Sequence, residues 1–572
     1  MSDNRNLFLA VLLSLAILLG WSWAAERFFP SPEPVKPAVQ APGTAQPAPQ
    51  VAPGEPSAPV ASAPARLQSR AKIIAATPRV QIDTPSLQGS INLKGAQIDD
   101  LKLDTHRDRL AQEATPVRLL SPLGAPNSQA ASFGWVGPAG FVPTLDTLWT
   151  ADSDLLAPGR PVTLTTQLPS GMRFAIRIAV DDGYLFTVRQ SAANATPAPV
   201  SVRPVGLISR SGKSADLSSW THHVGPIGVF DSKADYDVDW ESLDDGVQKN
   251  YANVDGWLGF TDKYWLAALA PQGRMTADLR RGRSGGYQAD YVLPPVDLAP
   301  GQSAATDTRL FAGAKEKVWL DRYEQAGIPK LSKSIDWGWF EWFMRPIFAL
   351  LLFLFKLTGN FGLAIIGLTL IVRLIMYPIA NKQFASMAAM RKIQPKLKAV
   401  QERFKDDKQR QQQEILKLYQ AEKINPAAGC LPLLLQIPVF YALYKVLTVS
   451  VEMRHQPFVL WIKDLSAPDP LTPVNLFGLL DFTPPAILAI GVLPIMVGFT
   501  QWLTMKLNPQ PMDPVQAQIF AWMPWVLVIV MAPFAAGLQL YWMTNNVLSI
   551  AQQWWLYRRY GLHLSDTHPV ET

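Results

Sequence analysis

The feature that most constrains this fold is a series of long apolar segments in the C-terminal half of the chain. About 20 apolar residues are enough to cross a bilayer as a helix. Such segments run over residues 361–379, 431–449, 487–503 and 519–555. The last is too long for one crossing and contains Pro533 and Gly537, which predicts a hairpin of two helices. Five spans are therefore expected in this half.

The composition is typical of a membrane protein with a sizeable soluble part. Of the 572 residues, 48% are hydrophobic and only 17% are charged, and the chain is too long for a single core. The single cysteine, Cys430, excludes an intramolecular disulfide and a cysteine-rich metal site.

Residues 1–29 have the pattern of a cytoplasmic N-terminus followed by a signal-anchor span. One arginine precedes an uncharged apolar run from Leu7 to Ala25, which is long enough to span a bilayer. A cleaved signal peptide is the alternative, because small residues near the end of the run loosely match a cleavage site. Trp21 and Trp23 suit an interfacial belt and favour a retained anchor. With this anchor the chain has six predicted spans.

A Pro- and Ala-rich tether, residues 30–66, precedes a region of period-two alternation, residues 67–335. Within it, Met172 to Val180 alternates apolar with small or polar residues, Asp181-Asp182-Gly183 provides a turn, and Tyr184 to Val188 returns. This pattern predicts a β-hairpin. Similar runs recur, so an antiparallel β-sandwich outside the membrane is expected. No catalytic or phosphate-binding motif stands out in it, which favours a binding or scaffolding module.

Positive charge orients the predicted spans. Residues 381–428 contain eleven Lys and Arg residues against five Asp and Glu, and loops of this kind stay in the cytoplasm. Apolar residues recur within this segment at three- and four-residue spacing, which predicts a helical hairpin. Its charge fits a solvated face and a topology signal, and contact with ribosomal RNA or anionic lipid is a further possibility.

The cytoplasmic placement of that loop leaves room for only one span between it and the β region. Residues 336–358 carry Glu341, Arg345 and Lys356 among aromatic residues, so they are expected to form an amphipathic helix in the interface. Residues 359–560 are then the predicted five-helix core, and 561–572 a cytoplasmic tail.

Arg373 is the only ionisable residue between Phe361 and Ala380. A charge at membrane depth usually marks a water-filled cavity or a substrate path. At the helical rise, however, Arg373 lies only about 7 to 8 Å inward of Pro378, close enough to snorkel to the interface. Position alone slightly favours snorkelling.

Other polar residues form stripes in the predicted spans. Thr369, Arg373 and Tyr377 are spaced four residues apart, and Tyr541, Asn545 and Gln552 share one face of the last span. Gln436 adds a polar group to the span at 431–449. Such stripes either join helices by hydrogen bonds or line a hydrated groove, and their spacing alone does not decide.

Short motifs between residues 339 and 560 resemble the YidC membrane-protein insertase family. The motifs are Val372-Arg373, Met376-Tyr377-Pro378, Ser386-Met387, Met390-Arg391, Gln394-Pro395-Lys396, Asn425-Pro426, Gly429-Cys430, Ala442-Leu443-Tyr444, the run from Leu460 to Ser466, Gly537-Leu538 and Leu540-Tyr541. The anchor, tether and large β region resemble the Gram-negative form of the family. The resemblance implies a polytopic α-helical inner-membrane protein with six transmembrane helices, both termini in the cytoplasm, and a periplasmic all-β domain of the β-super-sandwich type.

The resemblance also implies a function: insertion and folding of nascent inner-membrane proteins, without covalent chemistry, cofactor or metal. Arg373 matches the family's groove arginine, while Thr369 and Tyr541 match positions associated with substrate contact. Trp542 stands where a second tyrosine is common in relatives. The predicted substrate groove comprises Arg373, Thr369, Gln436, Tyr541, Trp542 and Asn545. The predicted receiving surface on the cytoplasmic hairpin comprises Met387, Met390, Lys396 and Arg403.

The expected partners are nascent membrane proteins, the lipid bilayer, the Sec translocon with its accessory subunits, and the ribosome through the basic loop.

Two other function classes fit less well. A secondary transporter usually shows inverted repeats, which are not obvious here, and the spans offer no acidic residue for a coupling proton. An intramembrane enzyme needs a nucleophile with a base or a metal cluster, and no predicted span contains His, Asp or Glu.

Overall fold

A computed structural model of the protein describes residues 67–559, apart from 111–112, 215–221, 283–284, 339, 406, 423–430, 478, 481, 483–484, 486–488 and 508–513. The predicted anchor, tether and cytoplasmic tail therefore lie outside the described residues, as does Cys430. Residues 514–523 form a compact unit separate from the rest of the described chain.

The β domain, residues 67–335, alternates short strands with turns. The strands are β1 (Arg79–Asp83), β2 (Leu87–Asn92), β3 (Gln97–Arg107), β4 (Pro116–Leu120), β5 (Gln129–Val136), β6 (Thr150–Ala151), β7 (Leu155–Leu156), β8 (Val162–Gln167), β9 (Met172–Val180), β10 (Leu185–Asn194), β11 (Val200–Arg210), β12 (Gly225–Phe230), β13 (Lys233–Asp235), β14 (Lys249–Val254), β15 (Gly256–Thr261), β16 (Trp265–Pro271), β17 (Met275–Arg281), β18 (Tyr287–Val292), β19 (Val296–Leu298) and β20 (Ser303–Ala314).

These strands form two sheets. One has the order β14-β17-β18-β11-β5-β3-β2-β1-β7, with β19 beside β11 and β4 beside β3. The other has the order β13-β12-β15-β16-β20-β10-β9-β8-β6. The side-chain amide of Gln190 on β10 donates to Gly134 O on β5 at 2.7 Å, so the sheets face each other across a shared apolar core. The prediction of a region rich in β-sheet is confirmed.

The hairpin predicted from residues 172–188 is formed by β9 and β10. Phe186 lies opposite Val180 and Asn194 opposite Met172. Along β9 the apolar residues are buried while the residues between them are more exposed, as a strand with one face on a core requires.

Helices dominate the remainder of the described chain. The β domain itself includes the short helices α1 (Arg70–Ala75), α2 (Trp240–Asp244) and α3 (Lys317–Gln325). The helices after it are α4 (Glu341–Thr358), α5 (Phe361–Arg403), α6 (Lys408–Ala421), α7 (Leu431–Val449), α8 (Val492–Leu507), α9 (Pro514–Met531) and α10 (Ala536–Arg559).

The break between α4 and α5 follows from two adjacent residues. Gly359 ends α4 with a φ of 67°, a left-handed conformation that glycine adopts without steric cost. Asn360 then caps α5, since its side chain accepts a hydrogen bond from Leu363 N at 3.1 Å. Helix α5 continues for 43 residues, through Pro378 and Pro395, and so joins the predicted span to the basic segment without interruption.

Within the described residues, one helical segment, Phe361–Asn381, is both long and apolar enough to cross a membrane. Shorter apolar helical segments are Gln436–Val449, Val492–Leu507 and Gln518–Met531. The full set of six spans stays a prediction.

A junction loop, residues 450–467, connects the β domain to the helices. Glu452 accepts a hydrogen bond from the backbone N–H of Lys317, at the start of α3, at 2.7 Å. The guanidinium of Arg454 donates to the carbonyl oxygen of Arg107, at the end of β3, at 2.6 Å. These contacts tie the loop to two separate elements of the β domain.

The far end of the junction loop caps α10. Carbonyl oxygens of Leu465 and Ala467 accept from the N–H groups of Gly537 and Ala536, at 2.9 and 2.7 Å, and so satisfy donors in the first turn of the helix. A Cβ on Gly537 would lie 2.9 Å from a methyl group of Leu447 and 3.1 Å from the carbonyl oxygen of Leu465, so the absence of a side chain here favours the close approach of the loop. The loop thereby fixes the start of the helix that carries three of the six predicted groove residues.

Candidate functional site

The candidate site centres on Arg373 of α5, whose side chain reaches across to α10. Its Nε donates to Oδ1 of Asn545 at 2.8 Å, and Nη2 donates to Asn545 O at 3.0 Å and to the hydroxyl of Ser549. The guanidinium is therefore held in a cradle of neutral acceptors on α10.

The charge in this cradle has no counter-ion in the neighbouring helices. The first twenty residues of α5, together with α7, α8, α9 and α10, contain no Asp or Glu. Among the described residues, Nη1 of Arg373 has no hydrogen-bond partner, and the side chain is only partly buried. Two N–H groups therefore remain for a further acceptor.

Tyr541 lies two turns of α10 from Ser549 and faces α7. It is buried, and its hydroxyl accepts a hydrogen bond from the side-chain amide of Gln436. Two residues of the predicted groove thus meet each other directly, and they join α10 to α7.

Trp542 and Thr369 occupy different positions. The indole N–H of Trp542 donates to the side-chain oxygen of Gln501 on α8 at 3.3 Å, and its ring meets Phe440 edge-on with centroids 5.0 Å apart. Thr369 is buried, and its hydroxyl donates to Ile365 O at 2.7 Å within its own helix. The Thr369 hydroxyl thus makes a hydrogen bond inside α5.

Further polar groups follow the same face of α10. The side-chain nitrogen of Gln552, one turn beyond Ser549, is buried and has no hydrogen-bond partner in the part of the chain that the structure describes. Buried amides without partners cost free energy, so their retention favours a water or a ligand group beside them.

The predicted receiving surface lies on the last part of α5. Met387, Met390, Lys396 and Arg403 are all within this helix. Lys396 pairs with Glu422 just beyond α6 at 2.6 Å, and the Arg403 guanidinium lies 5.6 Å from the ring centre of Phe404. Met387, the first of them along the helix, follows Arg373 by 14 residues, which corresponds to about 21 Å along α5.

Two features escaped sequence reasoning. Ser549 is absent from the predicted groove, although its four-residue spacing from Asn545 puts both residues on one face of the helix. Lys445 is a second cation within the apolar helices: it is buried near the end of α7, with Nζ 3.9 Å from a carboxylate oxygen of Asp336. Its partner comes from the segment after the β domain, which the sequence of α7 alone does not indicate.

Comparisons with known proteins agree over the whole described chain. A family model described as 60Kd inner membrane protein matches residues 353–562, and a YidC periplasmic domain model matches residues 79–350. A membrane protein insertase YidC of Zymomonas mobilis is 47% identical over 565 residues, covering 98% of this chain and 96% of the relative. Proteins of the same name from Methylorubrum extorquens and Rhizobium meliloti are 46% and 44% identical, covering 98% of this chain and 96% and 97% of their own lengths.

Proposed function

This chain belongs to the YidC family of membrane protein insertases, and from that premise we propose that it inserts nascent proteins into the bacterial inner membrane. Its substrates are then membrane proteins emerging from synthesis, and its second partner is the lipid bilayer. The products are the same polypeptides in a new environment, so no covalent step, cofactor or metal enters the proposal.

The observation that carries the proposal is the cradled, uncompensated charge of Arg373. Neutral acceptors from Asn545 and Ser549 hold the guanidinium in place while two N–H groups of Nη1 remain available. A carboxylate in a translocated segment would be attracted strongly in this low-dielectric setting. Binding there lowers the cost of moving polar residues across part of the bilayer.

The proposed topology places this charge on the cytoplasmic side of the span. The six spans are the signal-anchor, the first part of α5, and helices α7, α8, α9 and α10. Helix α4 lies in the interface, the β domain is periplasmic, and the basic segment 381–428 and both termini are cytoplasmic. The charge asymmetry of the loops supports this orientation.

The remaining predicted groove residues have proposed roles that follow from their positions. Tyr541 and Gln436 hold α10 against α7 and contribute polar surface beside Arg373. Trp542 and Thr369 lie close to the groove, where an apolar segment of the substrate slides past them into lipid. Hydrophobic partitioning and the membrane potential, worth about 2.3 kcal/mol per charge per 100 mV, drive the step.

The continuous helix α5 links the groove to the cytoplasmic hairpin. We place the arrival of the substrate at this hairpin, on a surface that includes Met387, Met390, Lys396 and Arg403, because methionine is adaptable and the segment is basic. The same basic segment is the proposed contact with the ribosome. Cooperation with the Sec translocon and its accessory subunits rests on the family resemblance.

Reconstitution of the purified full chain in liposomes tests this function. A small membrane protein with one short acidic translocated segment is synthesised in their presence, and its protection from added protease is measured. We expect protected substrate only in liposomes that contain the protein. Solute uptake without protection would instead indicate a transporter, and cleavage of the substrate would indicate an enzyme.

A further inference from the structure

An apolar loop, residues 472–482, lies in the connection between α7 and α8. Its large apolar residues in the described part of the chain are between 44 and 84% exposed: Val474, Leu476, Phe477, Leu479, Leu480 and Phe482. Between Pro470 and Met505 the only ionisable residue is Asp481. Proteins in water rarely expose so many apolar residues close together, so the loop has the composition of an interaction surface.

A single buried carboxylate holds the two ends of the apolar loop together. The oxygens of Asp469 accept hydrogen bonds from Leu471 N at 3.0 Å and from Leu493 N at 2.7 Å. The backbone N–H of Val492 also donates to Leu471 O at 2.9 Å, across the base of the loop. The indole N–H of Trp461, in the junction loop, donates to the same carboxylate at 2.9 Å. The apolar residues are therefore presented from a fixed base.

The backbone of the apolar loop makes hydrogen bonds within the loop. The N–H of Phe477 donates to Thr472 O at 2.9 Å, and the N–H of Leu480 donates to Asn475 O at 3.1 Å. Leu476 and Phe477 have φ angles of 50° and 61°, in the left-handed region that residues other than glycine rarely adopt. This conformation costs free energy, although both side chains are more than half exposed. Backbone strain of this kind is typical of functional sites, which favours a surface that contacts something.

The neighbouring elements identify the partner of the apolar loop. The loop follows the end of α7 and precedes the start of α8, and in the adjoining junction loop Phe458 O accepts a hydrogen bond from the side-chain amide of Asn360, at the start of α5, at 3.0 Å. In the proposed topology these three helix ends lie at the periplasmic face. Helix α8 continues the apolar surface with the exposed residues Ile495, Met496 and Phe499. The surface that surrounds α8 at this level is lipid.

We propose that the apolar loop inserts its side chains into the periplasmic leaflet of the bilayer. Irregular backbone stays out of the hydrocarbon core, so the backbone lies among the lipid headgroups and only the side chains reach the first acyl carbons. The choice of leaflet rests on the proposed topology. An inserted loop with a fixed base would hold the periplasmic ends of α7 and α8 at a defined depth in the membrane.

The test uses the full chain, with Cys430→Ser and Leu479→Cys, in nanodiscs that contain no other protein. The new cysteine carries a fluorescent probe that responds to polarity, and its fluorescence is quenched either by iodide in water or by lipids with a nitroxide high or low on the acyl chain. We expect a blue-shifted emission, strong loss of fluorescence with the high nitroxide, less with the low one, and little with iodide. The control is Arg189→Cys at an exposed position of β10, where iodide should quench and the lipids should not.

A second labelled position, Phe477→Cys, keeps the result independent of one probe site, and we expect it to give the same order of quenching. Strong quenching by iodide at both positions, without quenching by the lipids, would overturn the proposal and leave the loop as a surface for another protein. Stronger quenching by the low nitroxide than by the high one would contradict the interfacial depth. The readout requires neither insertion activity nor a known orientation, so its failure leaves the proposed function untouched.

Discussion

At the residue scale, the neighbours of Arg373 hold its charge in position without neutralising it. Asn545 and Ser549 supply acceptors but no negative charge, so they orient the guanidinium without cancelling its field. A carboxylate at the same distance would cancel it. A substitution at residue 545 that adds a negative charge therefore tests whether the charge of Arg373 contributes to insertion.

Asn545→Asp should place a carboxylate against the guanidinium with almost no change in shape. We expect insertion of a substrate with an acidic translocated segment to fall roughly tenfold, which corresponds to about 1.4 kcal/mol. Insertion of the neutral counterpart should fall much less. The matched control is Thr504→Ala on α8, which removes a hydroxyl bonded within its own helix. Unchanged insertion of the acidic substrate by Asn545→Asp would contradict the proposed role of the uncompensated charge.

How much of the site is visible in the sequence depends on the kind of residue. Arg373 and the stripe containing Tyr541 and Asn545 are found by pattern, because a charge or a polar row stands out in an apolar helix. The contact between Arg373 and Ser549 cannot be found from the sequence pattern, because it depends on the rotation and offset of α10 against α5. Those are set by packing around Gly537 and the junction loop, which local sequence does not encode.

At the element scale, the β domain contains a buried carboxyl group whose charged form is destabilised by desolvation. Asp290 of β18 is fully buried, and burial raises its pKa to about 7 although Arg280 lies 3.0 Å away. One of its carboxylate oxygens has no hydrogen-bond partner among the described residues. Protonation of that oxygen removes the desolvated negative charge.

The raised pKa predicts a pH-dependent stability of β17 and β18. Between the unfolded value of 3.8 and about 7 the folded state binds the extra proton, so this contribution is lost as pH rises through that window. Asp290→Asn should remove the dependence and stabilise the strands above about pH 7, by at most about 4 kcal/mol.

Hydrogen exchange of the β17 and β18 amides in the full chain measures this effect. Comparing wild type and Asp290→Asn at the same pH cancels the intrinsic exchange rate. Asp297→Asn, at an exposed position of β19, is the control. Faster exchange in Asp290→Asn at high pH would show that the charged pair with Arg280 stabilises the sheet instead.

Element prediction from the sequence succeeded where periodicity was strong. The β9–β10 hairpin and the break at Gly359 and Asn360 follow from alternation, turn residues and a cap. The continuation of α5 through Pro378 and Pro395 does not follow from local rules, because proline removes a helical hydrogen bond and usually ends or kinks a helix. The order of strands in the two sheets depends on pairing between distant segments, which periodicity does not specify.

At the scale of the whole molecule, the junction loop makes the β domain and the helices into one connected structure. It contacts α3 and β3 through Glu452 and Arg454, and it caps α10 through Leu465. The helix that carries Asn545 is thus anchored, through one loop, to the β domain. This connection gives the β domain a structural role in setting the position of α10.

The proposed topology predicts where each part can be reached by a reagent that does not cross membranes. In a Cys430→Ser background, a cysteine at Arg189 of β10 should be labelled from the periplasmic side, because this side chain is exposed. A cysteine at Arg410 of α6 should be labelled only after the membrane is permeabilised, because the basic segment is expected in the cytoplasm. Periplasmic labelling of position 410 would show that α4 and α5 both cross the membrane.

The central claim is that the charge of Arg373 acts on the substrate, and paired substrates test it most directly. The members of each pair differ only in whether the translocated segment carries Asp or Glu, and insertion is measured per folded protein molecule. We expect Arg373→Lys to retain most insertion, because an ammonium keeps the charge although it loses the fork geometry. Arg373→Ala should lose the acidic member preferentially, by roughly tenfold or about 1.4 kcal/mol. Equal loss for both members of each pair would contradict an electrostatic role for Arg373.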